Sequence, residues 1–134
     1  MTRLHEAPAT RLADGRVPCT YRWIVEDGRV LGGIALRHEL DAALLHAGGH
    51  IGYGIRPSAR RRGLATWALG RTLDRARALG LDRVLLVCAD GNAGSARTIE
   101  RSGGVLEDVR QTGSGRARRY WVELAGHRAT PLRG

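Results

Sequence analysis

One stretch of the sequence, residues 50–66, constrains the fold more than any other. Its first half alternates small and large residues as a strand does, with Tyr53 among the larger side chains on one face and His50 on the glycine face. Pro57 ends the strand, and an Arg- and Gly-rich turn leads into an amphipathic helix from about Leu64. Because the first turn of a helix leaves amide groups unpaired, this order predicts a binding site for an anion such as phosphate.

The turn does not match either of two common phosphate-binding motifs. A P-loop needs a Lys after its second glycine, and a dinucleotide-binding motif needs three spaced glycines after the strand. Residues 60–65 read Arg-x-x-Gly-x-Ala, which resembles the Arg/Gln-x-x-Gly-x-Gly/Ala signature of the GNAT superfamily of acyl-CoA-dependent N-acyltransferases. A second block at residues 92–103, Asn-x-x-Ser followed by Glu-Arg-x-Gly, resembles the Asn-x-x-Ala/Ser helix of that family.

The remainder of the chain predicts further strands and one more helix. An Asp-Gly pair at residues 27–28 predicts a hairpin, and the apolar run at 84–88 predicts a strand covered on both faces. Gly70 lowers the stability of the first helix by about 1 kcal/mol relative to Ala, so we expect close packing against the sheet as compensation. The predicted strands are 20–25, 29–36, 50–55, 84–88, 105–109 and 118–124, and the predicted helices are 64–79 and 93–102.

The fold class that these elements predict is α/β. Their order is that of the GNAT fold, and the resemblance therefore implies a mixed, mostly antiparallel sheet with a central βαβ unit that binds acyl-CoA. We predict a single domain over residues 1–124, in which residues 1–18 form an N-terminal arm without regular structure. A basic flexible tail is expected at residues 125–134.

The N-terminal arm is short for a member of this family. The resemblance implies a first strand and two helices before the hairpin, and about eighteen residues are too few for all three. The strand at residues 20–25 is then expected to have an open edge, which predicts a homodimer that hides it. The alternative is that the N-terminal arm folds over this edge.

The charge of the chain limits the classes of partner that we expect it to bind. The formal net charge is +9, and every one of the 22 basic residues is Arg, which fits either a compositional bias or selection for an anionic partner such as coenzyme A. No DNA- or RNA-binding motif accompanies the charge, so nucleic acid is not expected as a partner. Cys19 and Cys88 are too few for a metal site, so no metal is expected. Without a signal peptide or a long apolar run, we expect a cytoplasmic protein that does not enter membranes.

The GNAT resemblance implies acetyl-CoA as cosubstrate. Its diphosphate is expected on the backbone amides of residues 60–66, and its pantetheine on the main chain of residues 54–55. The side chains of Arg61 and Arg62 either clamp phosphate or are solvated. Asn92 either contributes to cofactor binding or is only a helix cap. The expected cofactor-binding residues are Gly54, Ile55, Arg60, Arg61, Arg62, Gly63, Leu64, Ala65, Thr66, Asn92 and Ser95.

Acyl transfer to an amine also needs proton transfer. His50 and Glu39 are the candidate bases; otherwise His50 is a packed residue and Glu39 neutralises a nearby Arg. Many relatives carry a Tyr acid at the position of Ile99, which leaves Tyr53 or a bound water as candidate acid. The function expected is N-acetyl transfer from acetyl-CoA to an amine of a small molecule or peptide by direct attack. The alternative is a non-catalytic acyl-CoA-binding sensor or interaction module.

Overall fold

The computed structural model describes residues 1–7 and 17–124, which contain a seven-stranded sheet and two α-helices. The strand order is β1-β2-β3-β4-β5-β7-β6, and every neighbouring pair except β4–β5 is antiparallel. This arrangement confirms the predicted α/β class and the mixed, mostly antiparallel sheet. The predicted tail at 125–134 lies outside the described residues. The elements are β1 (Thr2–Glu6), β2 (Cys19–Glu26), β3 (Arg29–Arg37), β4 (Ile51–Ile55), α1 (Leu64–Ala78), β5 (Arg83–Ala89), α2 (Ala93–Arg101), β6 (Val105–Thr112) and β7 (Gly115–Glu123).

The beginning of the chain corrects one prediction. Residues 2–6, predicted as part of an irregular arm, form β1 and pair with β2 from Thr2–Glu26 to Glu6–Arg22. Leu4 is the only large apolar residue of β1, and it packs against the core. A strand with so little apolar pattern of its own is specified by its partner strand, so periodicity does not reveal it.

The same pairing removes the reason for expecting a homodimer. The open edge was predicted on the strand that begins near Thr20, but β1 pairs with that strand from Arg22 to Glu26, and the amide of Ala7 donates to the carbonyl of Tyr21 at 2.8 Å. The alternative reading, in which the N-terminal residues cover the edge, is therefore the one that the structure supports. The pairing of β1 with β2 supplies no argument for association between two copies of the chain.

The β2–β3 hairpin is confirmed. Asp27 and Gly28 both have positive φ angles, 51° and 76°, as a two-residue turn between twisted strands requires. Further along the chain, β4, α1 and β5 form the predicted parallel βαβ unit. Its helix buries one face against the sheet, and that face is formed by Leu64, Ala68, Leu69, Thr72, Leu73 and Ala76.

The two strands of the βαβ unit, β4 and β5, pair at one position and then diverge. Only one residue pair, Ile51 with Leu86, is in register between β4 and β5. Before that pair, the amide of His50 donates to the carbonyl of Leu85 at 2.7 Å. After it, no further pair joins the two strands, so a crevice opens between their carboxyl ends.

The expectation for Gly70 is wrong. Gly70 is exposed, and a Cβ atom added to it would meet nothing within 4 Å. Close packing therefore does not explain this glycine. We expect Gly70→Ala to raise the free energy of unfolding by about 0.5–1 kcal/mol, because Ala loses less backbone entropy in a helix. Urea unfolding would measure the change, and Gly70→Ala with unchanged or lower stability would contradict it.

Candidate functional site

A cavity of ≈ 660 Å³ lies beside the carboxyl end of β4 and extends over the amino ends of both helices. This volume is within the range of small-molecule sites. Its floor comes from β4, one wall from the turn before α1 and the start of that helix, and the other wall from α2. Ten of the eleven expected cofactor-binding residues line it: Gly54, Ile55, Arg60, Arg61, Gly63, Leu64, Ala65, Thr66, Asn92 and Ser95.

The amino end of α1 presents unpaired amides to this cavity. Gly63 caps the helix in a left-handed conformation, with φ 76°, and no side chain caps the first turn. The first amide to find a partner is that of Trp67, which donates to the Gly63 carbonyl at 3.0 Å. Within the described residues, no protein group accepts a hydrogen bond from the amides of residues 64–66. Three free donors at the positive end of a helix dipole are an arrangement that favours an anion.

The three arginines of the preceding turn have different surroundings. Arg60 donates through Nε to the carbonyl of Ile55 at 3.0 Å, which fixes the turn to the end of β4. Arg62 lies outside the cavity and pairs with Glu26 at 2.6 Å. This bond lowers the pKa of Glu26 to about 2. Arg61 lines the cavity and has a positive φ of 65°, rare for a residue with a side chain.

The wall formed by α2 begins with the predicted cap. Asn92 accepts a hydrogen bond through Oδ1 from the amide of Ser95 at 3.1 Å, so the reading of Asn92 as a helix cap is confirmed. Sequence reasoning missed Arg97 and Arg101, which also line the cavity. They are four residues apart on α2, which Asn92 caps, and this i, i+4 spacing was the available signal. No acidic residue is among the described residues that line the cavity.

Tyr53 connects the floor of the cavity to α2. Its hydroxyl lies 2.9 Å from Oγ of Ser95, so Ser95 is more than a first-turn residue. Burial raises the pKa of Tyr53 above its ordinary value, although the hydrogen bond with Ser95 acts in the opposite direction. Tyr53 therefore keeps its proton at neutral pH and is available as a proton donor.

His50 and Glu39 lie away from the cavity. His50 is 6% exposed, and its Nδ1 accepts a hydrogen bond from the amide of Leu85 at 2.9 Å. Burial, with a smaller contribution from Arg37, lowers the pKa of His50. With Nδ1 engaged as an acceptor, the proton of the neutral ring is on Nε2, and no free lone pair is left to deprotonate an amine. This geometry argues for the packed-residue reading of His50, and Glu39 is exposed in the loop after β3.

A second cavity, of ≈ 540 Å³, lies between β1 and α1 and has a different character. Glu6 lines it and pairs with Arg22 at 3.3 Å and with Arg75 at 3.5 Å. These pairs neutralise part of its positive charge. This second cavity is not lined by the amino end of a helix, and acidic side chains line it, so the cavity beside β4 is the better candidate site.

Residues 1–7 and 17–124 contain neither a candidate membrane-spanning helix nor a candidate metal cluster. Neither helix there combines the length and the apolar character that crossing a membrane requires. No group of three or more His, Cys, Asp and Glu side chains in these ranges has an arrangement that suits a metal ion.

Comparison with protein families matches residues 3–105 to a family model described as an acetyltransferase (GNAT) domain. Comparison with curated protein sequences finds no match. Among solved structures, the chain is similar to an alanine acetyltransferase of a ribosomal protein from Vibrio fischeri, with a TM-score of 0.68 and 19% identity; the match covers 78% of this chain and 61% of that one.

Two further solved structures show the same fold. The microcin self-immunity acetyltransferase MccE, in complex with acetyl-CoA and AMP, gives a TM-score of 0.65 at 20% identity; the match covers 79% of this chain and 61% of that one. A spermidine N-acetyltransferase chimera from Vibrio cholerae and hSSAT gives 0.67 at 18% identity, covering 84% and 70%. The chain spans about three fifths of the length of the first structures that it matches.

Proposed function

The chain belongs to the GNAT acetyltransferase family, and from this membership we propose that it transfers an acetyl group from acetyl-CoA to an amine of a small molecule or peptide. The observation that carries the proposal is the set of free amides at residues 64–66, which faces a cavity without acidic lining residues among those described. The diphosphate of acetyl-CoA would bind there. The main chain of Gly54 and Ile55 would pair with the amides of the pantetheine arm, as an added strand would.

The reaction proposed is direct attack. The neutral amine attacks the thioester carbonyl carbon, and a tetrahedral intermediate with a protonated nitrogen forms. This nitrogen loses its extra proton to water, and the carbon–sulfur bond breaks to give the amide and the coenzyme A thiolate. Tyr53 donates its proton to that thiolate and afterwards regains a proton from water, while Ser95 holds the tyrosine hydroxyl in place. Neither His50 nor Glu39 lines the cavity, so we propose that the ammonium form of the acceptor loses its proton to water.

The family and the structurally similar proteins support the proposed class of acceptor, an amine. Two structurally similar proteins are named as an alanine acetyltransferase of a ribosomal protein and as a spermidine N-acetyltransferase. We extend this class, and not either substrate, to the present chain. The alternative function is a non-catalytic acyl-CoA sensor, and one observation favours it: Ile99 stands where many relatives carry a tyrosine acid, and it is 1% exposed in the core.

Two measurements test the proposal. Acetyl-CoA at about 100 times its Kd should stabilise the fold by about 2.7 kcal/mol, because a ligand that binds only the folded state raises the melting temperature. Thiol release with a panel of polyamines, amino acids, aminoglycosides and peptides should then show turnover with at least one amine. Binding without turnover on any amine would favour the sensor. No change in melting temperature would overturn both functions.

A further inference from the structure

We propose that Arg97 and Arg101 form a second anion position in the cavity, which recognises the 3′-phosphate of coenzyme A. The inference rests on the proposed function and deepens it, because it concerns what distinguishes coenzyme A from its dephosphorylated form. The observation behind it is the distribution of positive charge over the two walls of one cavity.

The two arginines are suited to bind a phosphate together. They are one helical turn apart on α2, both are exposed, and both line the cavity. Within the described residues, neither has a carboxylate within ion-pair distance, and the neighbouring Glu100 accepts a hydrogen bond from Tyr120 at 2.7 Å. Two free guanidinium groups on one helix face can each donate paired hydrogen bonds to phosphate oxygens.

This pair lies apart from the position already assigned to the diphosphate. The free amides of residues 64–66 belong to α1, whereas Arg97 and Arg101 belong to α2 on the other wall. A ligand that binds the donors on both walls at once needs two separate phosphate groups. Coenzyme A has this feature, with a diphosphate bridge and a phosphate monoester on the ribose, and a monoester carries nearly two negative charges at pH 7.

The test compares two ligands that differ only in this phosphate. Calorimetric titration with coenzyme A and with dephospho-coenzyme A should show that the wild-type chain prefers coenzyme A by at least about 10-fold. In Arg97→Ala/Arg101→Ala, the preference should fall below about 2-fold, while the affinity for dephospho-coenzyme A stays within about 2-fold of wild type. Unchanged binding of dephospho-coenzyme A also shows that the variant is folded.

Matched variants separate this site from general charge effects. Arg29→Ala/Arg77→Ala removes two exposed arginines that do not line the cavity, and it should keep the full preference. Arg97→Lys/Arg101→Lys should keep part of it, because Lys supplies charge without the planar fork. Equal affinities of wild type for the two ligands, or equal losses in the Ala variant, would overturn the inference alone. Failure of wild type to bind either ligand would overturn the proposed function itself.

Discussion

Ala65→Asp is expected to weaken acetyl-CoA binding by about 30- to 1000-fold and to leave the fold intact. Ala65 is the second residue of α1 and lines the cavity. A carboxylate there would stand where the diphosphate is proposed to bind. Repulsion between unit charges near a protein surface is about 2–4 kcal/mol at contact distances, which gives this range of affinities.

The same substitution should not harm the helix. A negative side chain in the first turn interacts favourably with the helix dipole, so the melting temperature without ligand should stay the same or rise. Ala65→Asn is the matched control, because it adds a side chain of similar size without the charge, and its loss of affinity should be clearly smaller. Wild-type affinity in Ala65→Asp would place the diphosphate elsewhere.

Tyr53→Phe is expected to lower kcat by about 10- to 100-fold with little change in KM. A positioned acid raises the rate by about 100-fold or more in many enzymes. The loss of kcat should be limited here, because a thiol with a pKa near about 8.5 is an adequate leaving group without full protonation. Tyr21→Phe is a suitable control, because Tyr21 does not line the cavity. Full activity of Tyr53→Phe would remove Tyr53 from the mechanism.

The pH dependence of kcat gives an independent check on Tyr53. Burial raises the pKa of Tyr53 above its usual value of about 10, so the acid form persists through neutral pH. The wild-type rate should therefore fall only when the pH exceeds the ordinary range of a tyrosine. Tyr53→Phe should lack this fall in rate at high pH. Ser95→Ala should change the pH at which the rate falls, because it removes the hydrogen-bond partner of Tyr53.

The central part of the fold is readable from the sequence because local signals and tertiary packing agree there. The alternation before Pro57 predicts a strand and Asn92 predicts a helix cap, and the structure has both features. The strand β1 was missed because its pairing with β2, and not its own apolar pattern, specifies it. Gly70 was misinterpreted because an exposed glycine and a packed glycine look the same in a sequence.

The parts of the candidate site that the backbone forms were predictable from the sequence. The parts that depend on the direction of a side chain were less predictable. The turn before α1 lines the cavity as expected, but Arg62 turns away toward Glu26 on the β2–β3 hairpin. His50 was a reasonable base from its place on the glycine face, and only the approach of β5 shows that its ring accepts from Leu85. Such contacts join residues 35 or more positions apart, which periodicity and spacing do not report.

Amide chemical shifts during a titration with acetyl-CoA test the binding site most directly. In ¹⁵N-labelled protein, the signals of Leu64, Ala65 and Thr66 should move together and saturate at the Kd measured by calorimetry, because these amides gain phosphate acceptors. Their exchange with solvent should slow at the same time. Saturation of binding with these three signals unmoved, and shifts confined to another part of the sheet, would contradict the assignment of the diphosphate to α1.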